Sequence, residues 1–212
     1  MRVPGYAIAA LVVLANIAVW MGFNRPQVAD PWERQINGVS YSPYREGQGP
    51  NGAHPTFDQI DRDMALLSDK VRSVRTYSST DGSENVGLLA RRYGLNVIAG
   101  AWIDGRLDRN AKEIANVVAM ARDNRNVTRV LVGNEALLRN DVSIDDLIAY
   151  IRQVRTQVKV PVSTAEPWHV WLAHPELGRE VDFIAIHILP YWEGIPADKA
   201  VDYVMQRYQQ VK

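Results

Sequence analysis

A glutamate follows directly after a short apolar run rich in β-branched residues. The run spans residues 127–132 and is followed by Gly133, Asn134 and Glu135; such a run is typical of a strand buried on both faces. A carboxylate at the exit of a buried parallel strand stands where barrel enzymes place catalytic groups, and partial desolvation there favours its proton-donating form. We interpret Glu135 as a general acid/base and Asn134 as a neighbouring substrate-binding group. A glutamate that only caps the next helix is the alternative.

Aromatic, acidic and amide side chains follow nearly every other predicted strand. Sugar rings present apolar C–H faces that stack on aromatic rings, and their hydroxyl groups need donors and acceptors in fixed positions. We therefore predict a carbohydrate cleft, although any single aromatic side chain could simply cover the core, and His187 could be a hydrogen-bonded rim residue. The predicted substrate-binding residues are Asn134, Tyr41, Tyr77, Trp102, Glu166, Trp168, His187 and Tyr191.

Six predicted strands alternate with helices from residue 36 onward. The strands are predicted at 37–41, 71–77, 95–101, 127–132, 160–164 and 181–187. Helices are predicted after the capping pair Thr56 and Gln59, over 85–93, around 114–121, from Ser143, over 170–177 and over 198–211. Strict alternation implies a parallel sheet with helices outside it, either doubly wound or closed as a (β/α)₈ barrel.

The strand exits favour the barrel. No Gly-x-Gly-x-x-Gly turn follows the first strand, as a doubly wound nucleotide-binding fold would require. Functional-looking residues instead follow nearly every strand, as at a barrel's carboxyl-terminal rim. Because a whole barrel takes about 250 residues and only six strand–helix units are legible, we predict an incomplete (β/α)₈ TIM barrel.

The segment 5–23 is almost wholly apolar and carries no charge. As a helix it would be about 28 Å long, close to the hydrocarbon thickness of a bilayer. We predict an N-terminal transmembrane anchor within residues 1–24, a linker over 25–35 and the barrel domain over 36–212. A cleaved signal peptide is the competing interpretation, and either one places the domain outside the cytoplasm, in the periplasm or at the cell surface.

Composition argues against several other function classes. Lysine plus arginine and aspartate plus glutamate both number 24, so the chain shows no electrostatic footprint for nucleic acid. The chain has no cysteine, which rules out a disulfide framework and a thiolate metal site. None of the four histidines are spaced four residues apart, as a zinc motif on a helix requires. We predict neither a metal nor a cofactor.

Three motifs, in this order, resemble glycoside hydrolase family 17. They are Arg-Thr-Tyr at 75–77, Val-Gly-Asn-Glu at 132–135 and Leu-Pro-Tyr at 189–191. The family contains β-1,3-glucan endohydrolases and glucanosyltransferases, and the resemblance covers residues 36–212. Ser-Thr-Ala-Glu-Pro-Trp at 163–168 is similar to bacterial members that often precede membrane-bound glycosyltransferase segments, which implies a glycosyltransferase as a partner.

The resemblance implies a retaining enzyme of cell-envelope β-glucan metabolism, acting by hydrolysis or transglycosylation. Glu135 would be its acid/base, Asn134 would bind the sugar beside the cleaved bond, and Tyr77 and Tyr191 would line the cleft. The family's nucleophile is a glutamate after a seventh strand, in a Gly-Glu-x-Gly-Trp-Pro type of stretch that residues 1–212 do not contain. We therefore expect this chain alone to lack its nucleophile and to be inactive.

Three alternatives remain open from the sequence. The chain could be a non-catalytic carbohydrate-binding relic or the stub of a truncated gene, which the missing second carboxylate favours. It could belong to another barrel glycosidase family with Asn-Glu after the fourth strand, although many of those continue with proline and Ala136 stands here. A water-assisted inverting reaction using Glu166 is the third.

Overall fold

The computed structural model describes residues 4–25 and 35–212. The chain divides into two units, an N-terminal one and a domain from Gln35 to Lys212. In the first unit, helix α1 (Gly5–Phe23) has no buried side chain and is long and apolar enough to cross a membrane. Most of the predicted linker lies outside the described residues.

The domain is built on one six-stranded sheet in which every strand pairs only with its neighbours in sequence. All five pairings are parallel. A doubly wound sheet would reverse its strand order, whereas a barrel adds strands consecutively. The curled sheet is therefore an incomplete TIM barrel, as predicted. Its strands are β1 (Val39–Tyr41), β2 (Ser73–Thr76), β3 (Asn96–Ala101), β4 (Val127–Asn134), β5 (Val162–Pro167) and β6 (Ala185–His187).

A helix follows each strand. The six are α2 (Phe57–Leu67), α3 (Val86–Arg92), α4 (Leu107–Asp123), α5 (Ile144–Arg155), α6 (Trp168–Ala173) and α7 (Ala200–Val211). The predicted capping box is confirmed, since the Gln59 amide donates to the Thr56 hydroxyl at 3.3 Å and the Thr56 amide donates to the Gln59 side chain at 2.8 Å. Ser143 likewise caps α5 by accepting from the Asp146 amide at 3.1 Å.

The hydrophobic core joins the sheet to α2–α5. Valines of the central strands are fully buried, because parallel strands covered by helices meet no water on that face. Helices α2–α5 each contribute an apolar stripe and α6 contributes Trp171, whereas α7 has no buried residue. Representative core residues are Val74, Val97, Val130, Val132 and Val162 from the strands and Ile60, Leu89, Ile114, Leu147 and Ile151 from the helices.

The fifth and sixth strands differ from their predicted extents. Strand β5 ends at Pro167 rather than 164, and α6 begins at the next residue without a loop. Glu166 is consequently part of a strand rather than of the rim. Strand β6 begins at Ala185 rather than 181, because Asp182 bonds to Val162 through both its amide and its carboxylate, each at 2.8 Å.

Strands β1 and β6 form two open edges, each paired on one side only within the described residues. Beside β6 lies a cavity of about 290 Å³ lined by Ile184, Ile186, Tyr208, Val211 and Lys212. Ile184 is 43% exposed and Tyr208 44%. An unpaired strand with an apolar flank is a template for pairing with another chain.

We expect residues 35–212, expressed alone, to self-associate or to unfold without a cooperative transition. Light scattering after size exclusion, together with a thermal melt, measures both properties. A double variant with lysine at positions 184 and 186 should associate less, because charges blunt an open edge. A monomeric, cooperatively melting domain without those substitutions would contradict this expectation.

Candidate active site

Glu135 occupies a sharp turn at the end of β4. Its φ is 55° and that of Gly133 is 87°, so two residues within three lie in the left-handed region that is costly for a side chain. The Glu135 amide donates to the Ala165 carbonyl at 2.7 Å, which fastens the turn to β5. The Glu135 side chain is 25% exposed and lines a cavity.

Three polar side chains connect Glu135 to β2 and β6. His187 Nδ1 lies 2.7 Å from Glu135 Oε1, and His187 Nε2 lies 3.1 Å from Arg75 Nη1. Arg75 Nη2 donates to Asn134 Oδ1 at 2.6 Å. The sheet thus brings together residues from positions 75, 134, 135 and 187, including the predicted residues Asn134, Glu135 and His187.

These contacts determine the protonation of His187. A guanidinium only donates hydrogen bonds, so Nε2 of His187 must accept from Arg75 and carry no proton. Nδ1 therefore carries the ring proton and donates it to Glu135 Oε1. Burial lowers the pKa of His187, the hydrogen bond to Glu135 raises it, and the nearby charge of Arg75 lowers it further. His187 is consequently a neutral donor.

The donor from His187 leaves the two Glu135 oxygens in different surroundings. Oε1 accepts the His187 proton, while Oε2 accepts no hydrogen bond from the described part of the chain. A proton exchanged with a ligand would therefore be carried on Oε2.

Arg75 is a partly buried cation. Burial lowers the pKa of its guanidinium, and the nearby Tyr77 and Glu135 raise it. The guanidinium carbon lies 5.0 Å from the centre of the Tyr77 ring. Its Nε has no hydrogen-bond partner among the described residues. Its side-chain partners are therefore an amide and an imidazole.

A first cavity of about 360 Å³ opens at the ends of β4–β6. Among its lining residues, His169 and Trp192 were not predicted as site residues, although Trp192 directly follows the predicted Tyr191. Trp192 is 78% exposed. The lining residues are Glu135, Leu138, Pro167, His169, His187, Leu189, Trp192 and Glu193.

A second cavity of about 350 Å³ lies at the ends of β1–β3 and contains the predicted residues Tyr77 and Trp102. The Trp102 indole donates to Asp104 at 3.2 Å, and the guanidinium of Arg139 lies 4.2 Å from its ring centre. The other lining residues are Ser42, Tyr44, Pro50, Asn51, Ser78, Arg106 and Arg109. The first cavity thus lies at the ends of β4–β6 and the second at the ends of β1–β3.

Two predicted substrate-binding residues make contacts inside the domain and line neither cavity. Tyr41 is 8% exposed, and its hydroxyl donates to Asp63 of α2 at 2.7 Å, so it packs between sheet and helix. Glu166 is fully buried and accepts the amides of Leu137 at 2.9 Å and Leu138 at 3.3 Å. Burial raises the pKa of Glu166. It secures the loop after Glu135 with both of its oxygens, an arrangement that does not favour the inverting alternative through Glu166.

Trp168 and Tyr191 line neither cavity. The Trp168 indole donates to Glu193 at 3.1 Å and lies under the guanidinium of Arg207 at 4.2 Å, so it supports a cavity residue from behind. Tyr191 is 83% exposed and packs edge-on against Trp192, with ring centres 5.3 Å apart.

The geometry agrees with the comparisons with known proteins. The family model for the BtgE/BtgC glycoside hydrolase domain matches residues 38–212. The chain belongs to this family. A solved structure, described as an active-site mutant of Rhizomucor miehei β-1,3-glucanosyltransferase in complex with laminaritriose, has a TM-score of 0.71 and 30% identity. The match covers 83% of this chain and 65% of that one. A second structure of that enzyme, 29% identical, is described as glycoside hydrolase family 17, which confirms the resemblance.

Two curated relatives of this BtgE/BtgC domain come from Aspergillus species. One from Aspergillus flavus, named "Probable beta-glucosidase btgE", is 29% identical over 179 residues, which are 80% of this chain and 29% of the relative. Another from Aspergillus clavatus, named "Probable glucan endo-1,3-beta-glucosidase btgC", is 26% identical over 171 residues, covering 73% and 24%. The chain thus spans less than a third of the length of these relatives.

Proposed function

We propose that this domain carries the acid/base half of a retaining enzyme that hydrolyses or transfers β-1,3-glucan. One observation carries the proposal: Glu135 stands at the mouth of a cavity with Oε1 held by the neutral His187. Membership of a glucan hydrolase and glucanosyltransferase family supports it.

The chemistry assigned to Glu135 is a proton transfer in each of two steps. In the first, Glu135 Oε2 donates its proton to the glycosidic oxygen as the bond from that oxygen to C1 breaks. A second carboxylate attacks C1 from the opposite face and forms a covalent glycosyl–enzyme. In the second, Glu135 removes a proton from water or a sugar hydroxyl, whose oxygen attacks C1 and releases the carboxylate. Water gives hydrolysis, and a sugar hydroxyl gives transglycosylation.

The second carboxylate is proposed to lie beside Arg75. Retention needs two carboxylates about 5–5.5 Å apart. Two other glutamates lie near the strand ends, and both are engaged elsewhere: Glu166 is buried against two backbone amides, and Glu193 bonds to Trp168 and Tyr203. A partly buried cation is stabilised by a nearby anion, and no carboxylate bonds to Arg75 among the described residues. A further strand pairing with an open edge of the sheet would bring that anion.

The proposed substrate and location rest on the same relatives and on α1. The laminaritriose bound to the Rhizomucor miehei enzyme supports a β-1,3-glucan substrate, and the Asn134 amide is proposed to bind the sugar beside the cleaved bond. Helix α1 supports an anchor or a signal in the bilayer, with residues 36–212 extracytoplasmic and acting on cell-envelope glucan. A linker over 25–35 and a glycosyltransferase partner belong to the same proposal.

The test is product analysis with the full-length protein, by which we mean this domain together with the proposed strand that supplies the second carboxylate. Laminari-oligosaccharides are the substrate, and cello-oligosaccharides of equal length are the control. We expect turnover of the β-1,3-linked series only, and the first-formed products should keep the β configuration by proton NMR. Products longer than the substrate would identify transfer, and shorter ones alone hydrolysis. Initial products of α configuration, or turnover of the cello series only, would contradict the proposal.

A further inference from the structure

Glu113, on α4, is a fully buried carboxylate that the chemistry at Glu135 does not use. Its oxygens lie within hydrogen-bond distance of five donor groups, all from the segments that leave β2 and β3, and one of these donors, Ser79 Oγ, also lies 2.7 Å from the Glu113 carbonyl. The donors are Ser78 Oγ at 2.5 Å, the Ser79 amide at 2.7 Å, Ser79 Oγ at 3.0 Å, Thr80 Oγ1 at 2.6 Å and the Trp102 amide at 3.2 Å. A buried charge is tolerated when it is hydrogen-bonded in this way.

The five donors adjoin the two aromatic walls of the second cavity. Ser78 directly follows Tyr77, and the Trp102 amide is itself one of the donors. Tyr77 and Trp102 face the same cavity but belong to different strand exits, and no hydrogen bond joins their side chains. Glu113 is therefore a shared anchor for both segments.

We propose that Glu113 is a positioning residue that sets the spacing of Tyr77 and Trp102, so that the second cavity accepts a glucosyl unit remote from the cleaved bond. The inference rests on the proposed function. The first cavity, with Glu135, lies at β4–β6, and the second lies at β1–β3. Only an oligosaccharide long enough to extend from one cavity to the other contacts both.

Glu113 should therefore affect long oligosaccharides and leave short ones unchanged. Glu113→Gln keeps the size of the side chain but presents an NH₂ group to hydroxyl and amide donors, so it cannot accept from the donors on both segments. The loop after Tyr77 would shift, and stacking on the aromatic pair would weaken. Loss of overall stability would instead lower binding of every ligand alike.

The experiment is calorimetric titration of the full-length protein, made inactive by Glu135→Gln, with laminaritriose and laminarihexaose. We expect hexaose to bind more tightly than triose, and Glu113→Gln to weaken hexaose binding about tenfold while triose binding stays within about twofold. Glu84→Gln, which changes an exposed carboxylate near the same loop, is the matched control. Equal weakening of both ligands, or none, would overturn the role of Glu113.

A milder pair of variants decides the matter where Glu113→Gln does not fold. Thr80→Val removes one donor at nearly constant volume and should weaken hexaose binding selectively. Thr80→Ser keeps the hydroxyl and should bind hexaose as tightly as the parent does. Equal hexaose affinities for the two variants would overturn the inference. If the inactive parent binds neither oligosaccharide, the proposed function fails and this inference fails with it.

Discussion

Glu135→Gln is expected to lower kcat/KM on unactivated β-1,3-glucan by about 10³-fold in the full-length protein. Glutamine cannot supply a proton to the leaving glycosidic oxygen. Its carbonyl oxygen can still accept from His187 Nδ1, so the surrounding contacts persist and the loss isolates the proton transfer. Initial rates on laminari-oligosaccharides measure the effect.

The leaving group distinguishes lost proton transfer from general damage. The dinitrophenolate of a dinitrophenyl glucoside leaves without being protonated. Glu135→Gln should therefore slow the first step on that substrate far less than on the natural bond. Glu46→Gln, at an exposed glutamate without side-chain partners in the described chain, is the control and should leave both rates unchanged. Unaltered glucan turnover by Glu135→Gln would end the assignment.

Arg75→Lys should lower kcat by about 10²-fold with little change in KM, because a small misplacement of a catalytic group costs on that order. Lysine keeps the charge but not the planar fork that bonds at once to Asn134 Oδ1 and His187 Nε2. Steady-state kinetics of the full-length protein measure kcat and KM separately. Arg72→Lys, at an exposed arginine just before the same strand, is the matched control. A change in KM alone would show that Arg75 only binds substrate.

The charge of Arg75 also lowers the pH at which His187 titrates. Burial and the Arg75 cation keep the pKa of His187 below its usual value. The contribution of the neutral ring to stability is therefore complete above the usual histidine pKa, and it is lost as the pH falls through the lowered value. Arg75→Met should move the His187 titration, followed by NMR of the ring protons, to higher pH. An unchanged or lower midpoint would exclude the contact.

The sequence predicted the sheet better than the placement of individual side chains. Alternating apolar runs and helical stripes were sufficient for the order of the strands, and the Thr56 cap marked its helix correctly. Glu166 was expected at the rim because β5 was predicted to end at residue 164, whereas the strand continues to Pro167. Tyr41 was expected at the rim because it ends its strand, but its hydroxyl bonds to Asp63 of α2, a contact between segments that the strand's own sequence does not show.

Contacts between distant segments could not be predicted. The pair formed by Arg75 and His187 exists only because the curled sheet brings β2 near β6. Glu113 was missed, although a signal was present: it lies among the apolar residues of α4, at the spacing of Asn110 and Val117. A carboxylate on the buried face of a helix indicates a bonded anchor.

The alternative of a non-catalytic relic is not favoured by these relationships. The similar proteins from Aspergillus flavus, Aspergillus clavatus and Rhizomucor miehei are named as glucosidases or a glucanosyltransferase. The left-handed backbone at Glu135 is also costly to maintain, and such strain is typical of functional sites.

Azide rescue of Glu135→Ala in the full-length protein tests most directly whether Glu135 is the acid/base of a retaining enzyme. With an activated β-glucoside the glycosyl–enzyme still forms, and the space left by the glutamate admits azide to C1 from the face that water would use. We predict faster turnover with azide and a glucosyl azide of β configuration. An α-configured azide would make Glu135 the nucleophile, and no acceleration would contradict its catalytic role.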